Sequence, residues 1–116
     1  MHALIIEDEF LVALNIEDSL QALGFTSSET VATEEKAIAT ARRHTPDLIT
    51  ADVRLLRGSG ITAVQAILRE QTIPVVFITG NVEMVLEGMP DAVVLEKPFG
   101  EVALRRAIAV AQAQAA

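Results

Sequence analysis

The sequence predicts an α/β fold in which a five-stranded parallel sheet carries helices on both faces. Short, continuous apolar runs recur along the 116 residues, and such runs are typical of strands covered on both sides. Between these runs the apolar residues repeat at helical spacing, which gives the strand and helix alternation of a doubly wound sheet. No internal repeat or shift in composition divides the chain. We therefore expect one domain over residues 1–116 without an output domain.

The predicted strands are not all alike. Four are mainly apolar, whereas the second is rich in Thr and Ser, which favours a position at the edge of the sheet. Pro46 and Pro74 each precede an apolar run and limit the helix before it. The predicted strands are residues 3–6, 25–31, 48–51, 75–78 and 91–95.

The helices follow from apolar spacing and from capping residues. Val12, Ile16 and Leu20 fall on one helical face, and Gly24 follows as a C-cap candidate. Thr33 is a good N-cap for the second helix. Only a short segment is available for the fourth helix, about two turns, so we expect it to be short or irregular. The predicted helices are residues 10–23, 33–45, 61–68, 81–87 and 100–111.

Composition excludes several classes of function. The chain has no cysteine, which excludes disulfides and thiolate metal sites. Its net charge of -7 argues against direct binding of nucleic acid. No apolar run approaches the roughly 20 residues that cross a bilayer, and the first residues enter strand-like sequence without a signal peptide. We therefore expect a cytoplasmic protein with no membrane insertion.

Polar residues stand at the carboxyl ends of four predicted strands, where open α/β sheets place their ligands. Because parallel strands end at one edge, these side chains should converge. Together they offer carboxylates, a hydroxyl and an ammonium group, which suit a divalent cation and a phosphoryl group. The residues are Glu7, Asp8, Asp52, Thr79 and Lys97.

Each of these residues also has a simple structural explanation when it is considered alone. An acidic run stabilises a helix N-terminus, Asp52 can cap a turn, and Lys97 can be a solvated loop charge. Their joint occurrence, each after an apolar strand, favours a site. We expect His2 to be an exposed terminal residue, and we assign no functional role to it or to His44.

With these residues in place, the chain resembles a response regulator receiver domain of two-component signalling along its whole length. The resemblance rests on Glu7-Asp8, Asp52, Thr79 and Lys97-Pro98-Phe99, which match the family motif in order and position. It implies a flavodoxin-like strand order of 2-1-3-4-5, Mg²⁺ as cofactor, and a sensor histidine kinase or histidine phosphotransferase as partner. Residues 74–80 also resemble a mainly alphaproteobacterial, single-domain subgroup with a Pro-x-x-Phe-x-Thr-Gly strand.

The resemblance assigns a role to each site residue. Asp52 is the nucleophile that becomes an acyl phosphate, while Thr79 and Lys97 contact phosphoryl oxygens. Three acidic groups held together without metal are expected to repel one another and to raise at least one pKa. The predicted Mg²⁺ ligands are Asp8, Asp52, the backbone carbonyl of Arg54 and, through water or directly, Glu7.

Three residues at the predicted mouth of the pocket are expected to modulate the lifetime of the phosphoryl group. Arg54 and Asn81 each lie two residues beyond a site residue. Arg54 can shield or pair with a phosphoryl oxygen, whereas Asn81 can orient a hydrolytic water. Gly80 leaves the mouth open.

The chain departs from the receiver pattern at three places. Glu7 replaces the more usual aspartate, and residues 55–58 lack the proline commonly found there, which leaves the rigidity of that loop open. Val94 occupies the switch position, where many receivers carry Tyr or Phe. A rotating aromatic ring is therefore not available, and we expect residues 80–90 to become ordered instead.

Three classes of function fit these residues. The first is a phosphorylation-dependent switch that contacts a downstream target protein or relays phosphate, and that catalyses only its own phosphorylation and dephosphorylation. The second is a small Mg²⁺-dependent phosphatase with the same aspartate nucleophile, although residues 52–54 lack the second carboxylate that a haloacid-dehalogenase acid/base requires. The third is a pseudo-receiver that no longer takes phosphate. The intact set of site residues favours the first.

Overall fold

The computed structural model describes all of residues 1–116 and contains five strands that alternate with five helices. The strands are β1 (His2–Ile6), β2 (Ser27–Val31), β3 (Leu48–Ala51), β4 (Val75–Thr79) and β5 (Val93–Glu96). The helices are α1 (Phe10–Ala22), α2 (Glu34–Arg43), α3 (Gly60–Glu70), α4 (Val82–Gly88) and α5 (Glu101–Ala115).

All five strands are parallel and lie in the order β2-β1-β3-β4-β5. This order confirms the predicted flavodoxin-like fold class. Strand β2 lies at the edge and is only partly buried, as its Thr and Ser content predicts. The central strands β1 and β3 are fully buried, which explains why they read as unbroken apolar runs.

The core has two layers, one on each face of the sheet. Alternate residues of a strand point to opposite faces, so Leu4 and Ile6 enter one layer while Ala3 and Ile5 enter the other. Helices α2, α3 and α4 close the first layer, and α1 and α5 close the second. Because helices cover both faces of the sheet, the ends of the strands are where a site can form.

Several element boundaries differ from the prediction by one to four residues, among them those of β5 and α5. Strand β5 begins at Val93 because the chain first makes a turn, in which the Ala92 N–H donates to the Met89 carbonyl. Helix α5 continues to Ala115 rather than ending near residue 111. The terminal Ala and Gln residues are good helix formers, so they extend the helix by another turn.

The expectation that His2 is exposed is wrong. Strand β1 begins at His2 and pairs it with Ser27 of β2, which leaves the residue only 8% exposed. Its ring stacks on that of His44, with ring centroids 3.9 Å apart. The apolar run starts one residue later than the strand, so the hydrophobic pattern gave no sign that His2 is buried.

None of the five helices combines the length and the apolar character needed to cross a membrane.

Candidate functional site

Backbone hydrogen bonds continue past the ends of the strands and fix three of the predicted site residues. The Asp52 N–H donates to the Ile6 carbonyl at 2.9 Å, and the Lys97 N–H donates to the Thr79 carbonyl at 3.1 Å. The Glu7 N–H donates to the carbonyl of Val31 at 2.9 Å. Each polar side chain is therefore held beside the end of a neighbouring strand, at the same edge of the sheet.

Lys97 joins the two buried carboxylates of the site. Its Nζ lies 2.9 Å from Oε1 of Glu7 and 2.8 Å from Oδ2 of Asp52. The side chains of Glu7 and Asp52 are 1% and 9% exposed, and that of Lys97 is 20% exposed. One partly accessible ammonium group thus balances charge on two carboxylates that water barely reaches.

Burial raises the pKa of the Glu7 carboxyl, and the hydrogen bonds from Lys97 and from the Glu9 N–H offset only part of that rise. The charge of Asp52 makes the smallest contribution. A raised carboxyl pKa was predicted from acidic repulsion, so the direction is right but the main cause is desolvation. Burial lowers the pKa of Lys97, yet its hydrogen bonds to Asp52 and Glu7 outweigh this, and its pKa is raised overall.

Four acidic side chains at this edge form a cluster with a composition that suits Mg²⁺. Each offers a carboxylate oxygen, and these oxygens lie within 4.8 Å of one another; the residues are Glu7, Asp8, Glu9 and Asp52. Mg²⁺ prefers such hard oxygen donors and keeps several waters. Asp8 and Glu9 are exposed whereas the other two are buried, so the cluster opens to solvent on one side. The donor set fits the cation.

Glu9 is a candidate ligand that the sequence reasoning missed. It precedes α1 as the N-cap residue, but its side chain makes no capping hydrogen bond. Its carboxylate is therefore available to the acidic cluster. The signal was present in the sequence, because Glu7-Asp8-Glu9 places a third acidic residue directly after the predicted pair.

Thr79 is fully buried at the end of β4, and its Oγ1 accepts a hydrogen bond from the Asn81 N–H at 3.0 Å. Asn81 precedes α4 as the N-cap residue. At Gly80, an added Cβ would meet nothing within 4 Å, which agrees with an open pocket mouth. The hydroxyl of Thr79 is thus connected directly to the start of α4.

The remaining predicted residues lie around this centre. Arg54 is exposed and forms an isolated bridge with Ser59, and its carbonyl as a metal ligand stays a prediction. Val94 pairs with Phe77 across β4 and β5 and packs partly buried against the core. Its branched aliphatic side chain has no hydroxyl and no ring.

Gly60 is a second residue that the sequence reasoning did not single out. A Cβ at this position would lie 1.7 Å from the backbone carbonyl oxygen of Asp52. The Gly60 N–H also donates to the Val53 carbonyl at 2.8 Å, and the Val53 N–H donates to Oδ1 of Asp52 at 2.7 Å. Helix α3 can therefore begin this close to the Asp52 backbone only because residue 60 has no side chain.

The loop after Asp52 is held in place without a proline. The Leu56 N–H donates to the Ala32 carbonyl, and the Glu34 N–H donates to the Arg57 carbonyl, both at 3.0 Å. Oε1 of Glu34 in turn accepts from the Ser59 N–H at 3.0 Å. These contacts fasten the loop to the start of α2.

Comparison with models of known protein families identifies the family of this chain. The model of the response regulator receiver domain matches residues 3–109, which is most of the sequence. The chain belongs to the response regulator receiver family. Two-component signalling is therefore its functional context, and the resemblance stated from the sequence is confirmed.

Named relatives are regulators with longer chains. The phyllosphere-induced regulator PhyR of Methylorubrum extorquens is 39% identical over 100 residues, which cover 83% of this chain and 38% of that protein. The transcriptional regulatory protein PdtaR of Mycobacterium tuberculosis is 32% identical over 76 residues, covering 66% of this chain and 37% of PdtaR. The chain spans less than two fifths of the curated relatives it matches.

Solved structures show the same fold. The receiver domain of PhyR from Erythrobacter litoralis is 37% identical with a TM-score of 0.86, covering 95% of this chain and 88% of that one. A receiver protein from Sinorhizobium medicae is 25% identical with a TM-score of 0.85, covering 100% and 97%. PhyR from Brucella abortus is 36% identical with a TM-score of 0.79, covering 97% of this chain and 46% of that one.

Proposed function

We propose that this chain is a phosphorylation-dependent switch that accepts a phosphoryl group on Asp52. One observation carries the proposal: the buried Asp52 carboxylate lies 2.8 Å from the Lys97 ammonium and within 4.8 Å of three other carboxylates. A nucleophile, a cation for a phosphoryl oxygen and a set of oxygen ligands therefore share one strand edge. Mutual placement of this kind is what phosphoryl transfer requires, since its catalysis is mostly positioning and charge stabilisation.

In the proposed reaction, a carboxylate oxygen of Asp52 attacks phosphorus and forms an O–P bond. The bond from phosphorus to the donor, P–N in a phosphohistidine, breaks, and the leaving nitrogen keeps the electron pair. Lys97 then pairs with one of the phosphoryl oxygens, because its ammonium already lies beside the attacking carboxylate of Asp52. The hydrogen bond from the Val53 N–H to Oδ1 orients the carboxylate before attack.

Glu7, Asp8, Glu9 and Asp52 are the residues that would hold Mg²⁺. When bound, the cation offsets the negative charge of the carboxylates and of the phosphoryl oxygens. Lys97 contacts Oε1 of Glu7 and Oδ2 of Asp52. The ammonium therefore pairs with both buried carboxylates and would share their oxygens with the cation.

We propose that Thr79 reports the phosphoryl group to α4. Its hydroxyl can donate to a phosphoryl oxygen while its oxygen continues to accept from the Asn81 N–H. Helix α4 has only seven residues and buries only Val85, and a helix that short is marginal by itself because nucleation is costly. Phosphorylation therefore needs a differential interaction of only a few kcal/mol to shift the state of residues 80–90. Val94 provides no aromatic ring for another route.

We propose a sensor histidine kinase or a histidine phosphotransferase as phosphodonor and a protein as downstream target. Two PhyR structures from Bartonella quintana, 34% and 35% identical to this chain, are those of an anti-anti-sigma factor. By its name, that factor acts on an anti-sigma factor, which is itself a protein. Since this chain matches about half of each, the receiver portion is what the two proteins have in common with it.

The protein-glutamate methylesterases among the relatives do not extend this proposal to an esterase. This chain aligns with 23% to 30% of their length. The common part is therefore again the size of a receiver, and we propose no catalytic activity on other substrates.

Incubation with acetyl phosphate and Mg²⁺ tests the proposal. Intact mass spectrometry should show one added phosphoryl group on the parent protein and none on Asp52→Asn. Asp18→Asn is the matched control, because Asp18 is an exposed residue of α1 outside the acidic cluster, and it should be labelled like the parent. Equal labelling of Asp52→Asn and the parent would contradict the assignment, and steady turnover of p-nitrophenyl phosphate would favour a phosphatase.

A further inference from the structure

A second cluster of metal-binding residue types lies away from the acidic cluster. It consists of His2, Glu29 and His44, which come from the start of β1, the middle of β2 and the end of α2. One ligand atom of each lies within 4.8 Å of the others. His2 and Glu7 lie at opposite ends of β1, about 16 Å apart at 3.3 Å per residue. The two clusters are therefore separate.

His2 is held rigidly, with one ring nitrogen left without a partner. Its backbone N–H donates to Oδ2 of Asp47 at 2.7 Å, and its Nδ1 lies 2.7 Å from Oγ of Ser27. The residue is 8% exposed, and its Nε2 is buried with no hydrogen-bond partner. Metal-bound histidines usually hold their other ring nitrogen in a hydrogen bond of this kind. Nε2 is thus available and fixed in direction.

The two imidazole nitrogens that face Glu29 lie beyond the usual distance of a charged hydrogen bond. Nε2 of His2 is 3.5 Å from Oε1 of Glu29, and Nδ1 of His44 is 3.6 Å from the same oxygen. Both exceed the usual range for a charged hydrogen bond. Bonds of 2.0–2.1 Å in a tetrahedral site place neighbouring ligand atoms about 3.4 Å apart, close to the distance between Nε2 of His2 and Oε1 of Glu29.

The second oxygen of Glu29 is already engaged. Oε2 accepts from Nη2 of Arg43 at 2.7 Å, which orients the carboxylate and leaves Oε1 facing the two imidazoles. A set of two imidazoles and one carboxylate is typical for Zn²⁺ and similar transition metals, whereas Mg²⁺ prefers oxygen ligands alone.

We propose that His2, Glu29 and His44 form a second metal site, for Zn²⁺ or a similar divalent transition metal, with a fourth position open to water. Binding requires one rearrangement. The two rings are stacked with an interplanar angle of 12°, so their nitrogen lone pairs lie in two separate, nearly parallel planes and do not meet at one ion. His44, whose side chain is 54% exposed, must turn its ring, whereas His2 stays in place.

A metal at this site would join three elements that meet at the sheet edge. Strand β2 pairs on one side only, with β1, and α2 ends beside it. The ion would connect β1, β2 and the residue after α2 directly. We therefore infer a structural role, in which metal stabilises the edge of the sheet without altering the Asp52 site.

Nuclear magnetic resonance of the imidazole nitrogens tests the site, because His2 and His44 are the only histidines in the chain. Zn²⁺ is titrated in the presence of excess Mg²⁺, which occupies the acidic cluster. Zn²⁺ should shift Nε2 of His2 and Nδ1 of His44, the two nitrogens that face Glu29. The proposal is overturned if neither histidine shifts, or if only the exposed His44 does.

Two variants distinguish Zn²⁺ binding at this site from Zn²⁺ binding elsewhere in the protein. His44→Gln, an exposed change, should lower the Zn²⁺ affinity by more than the roughly 10- to 100-fold expected for the loss of an outer-shell partner. It should also abolish the rise in melting temperature that Zn²⁺ gives the parent. Glu29→Gln should do the same, while the control Glu35→Gln, on the exposed surface of α2, should not. Zn²⁺ binding that persists in both test variants and disappears with excess Mg²⁺ would place the ion in the acidic cluster and refute the proposal.

Discussion

Replacing Lys97 by methionine tests how much its ammonium group stabilises the two buried carboxylates of the site. Met keeps the length and most of the apolar stem of the side chain but removes the ammonium that contacts Glu7 and Asp52. The two carboxylates are then left almost fully buried with no cationic partner. Breaking a buried ion pair in this way costs about 3–5 kcal/mol. Because Lys97 is itself one fifth exposed and the cluster opens to water, we expect a loss of about 2–3 kcal/mol at pH 7.

The pH dependence gives this prediction a definite sign. A carboxyl whose pKa is raised by folding binds its proton more tightly in the folded state, so stability falls as pH rises from 4.5 through the raised pKa of Glu7. In Lys97→Met the offsetting hydrogen bond is gone, so that fall extends to higher pH. The difference between variant and parent should therefore shrink as the pH is lowered toward 4.5. The raised pKa of Lys97 adds a loss of stability above pH 10.5 in the parent alone.

Urea unfolding at several pH values, with and without Mg²⁺, measures these effects. Mg²⁺ should stabilise Lys97→Met more than the parent, because in the parent the ammonium competes for Oε1 of Glu7 and Oδ2 of Asp52. Lys36→Met, an exposed change on α2, is the control and should leave stability and the Mg²⁺ response unaltered. If Lys97→Met matches the parent in stability at pH 7 and in its response to Mg²⁺, the Lys97 ammonium does not stabilise the two buried carboxylates.

Three further predictions concern the surroundings of the site. Gly60→Ala should lower the unfolding free energy by about 1–3 kcal/mol and slow labelling by acetyl phosphate, because its Cβ would lie 1.7 Å from the backbone carbonyl oxygen of Asp52. Gly100→Ala, where a Cβ meets nothing within 4 Å, is the control in the labelling assay. Arg54→Ala should change the phosphoryl lifetime without abolishing labelling, and Asn81→Ala should change that lifetime in the opposite direction. If both variants have the half-life of the parent phosphoprotein, Arg54 and Asn81 do not control access to the pocket mouth. Amide hydrogen exchange in residues 80–90 should slow with Mg²⁺ and beryllofluoride, and protection as high as in the central strands before addition would rule out the ordering mechanism.

The fold could be predicted because its signals are local. Buried strands such as 48–51 read as unbroken apolar runs, and Thr33 and Pro46 mark where α2 begins and ends. Once the strands are parallel, their polar residues must share an edge, so the convergence of Asp52 and Lys97 follows from topology. The edge position of β2 likewise follows from its polar residues.

The features that could not be predicted depend on distances between remote parts of the chain. Lys97 contacts both Glu7 and Asp52, which are 90 and 45 residues away, and no local pattern encodes that pair of contacts. The burial of His2 depends on a pairing with Ser27, and the need for glycine at position 60 depends on how closely α3 approaches the preceding strand end. Such contacts arise only when the folded chain brings these segments together.

The hydrogen bonds between the loop after Asp52 and the start of α2 make one half of the site rigid. The other half, residues 80–90, is less constrained. Ala32 and Glu34 hold the loop by hydrogen bonds to Leu56, Arg57 and Ser59. Arg42 of α2 makes three hydrogen bonds to Glu70 of α3, so this half is rigid. Its conformational entropy is already lost on folding, so in the proposed switch little of the free energy of phosphorylation would be needed to order it. The new phosphoryl contacts would instead act mainly on residues 80–90 in the opposite half, where α4 buries only Val85.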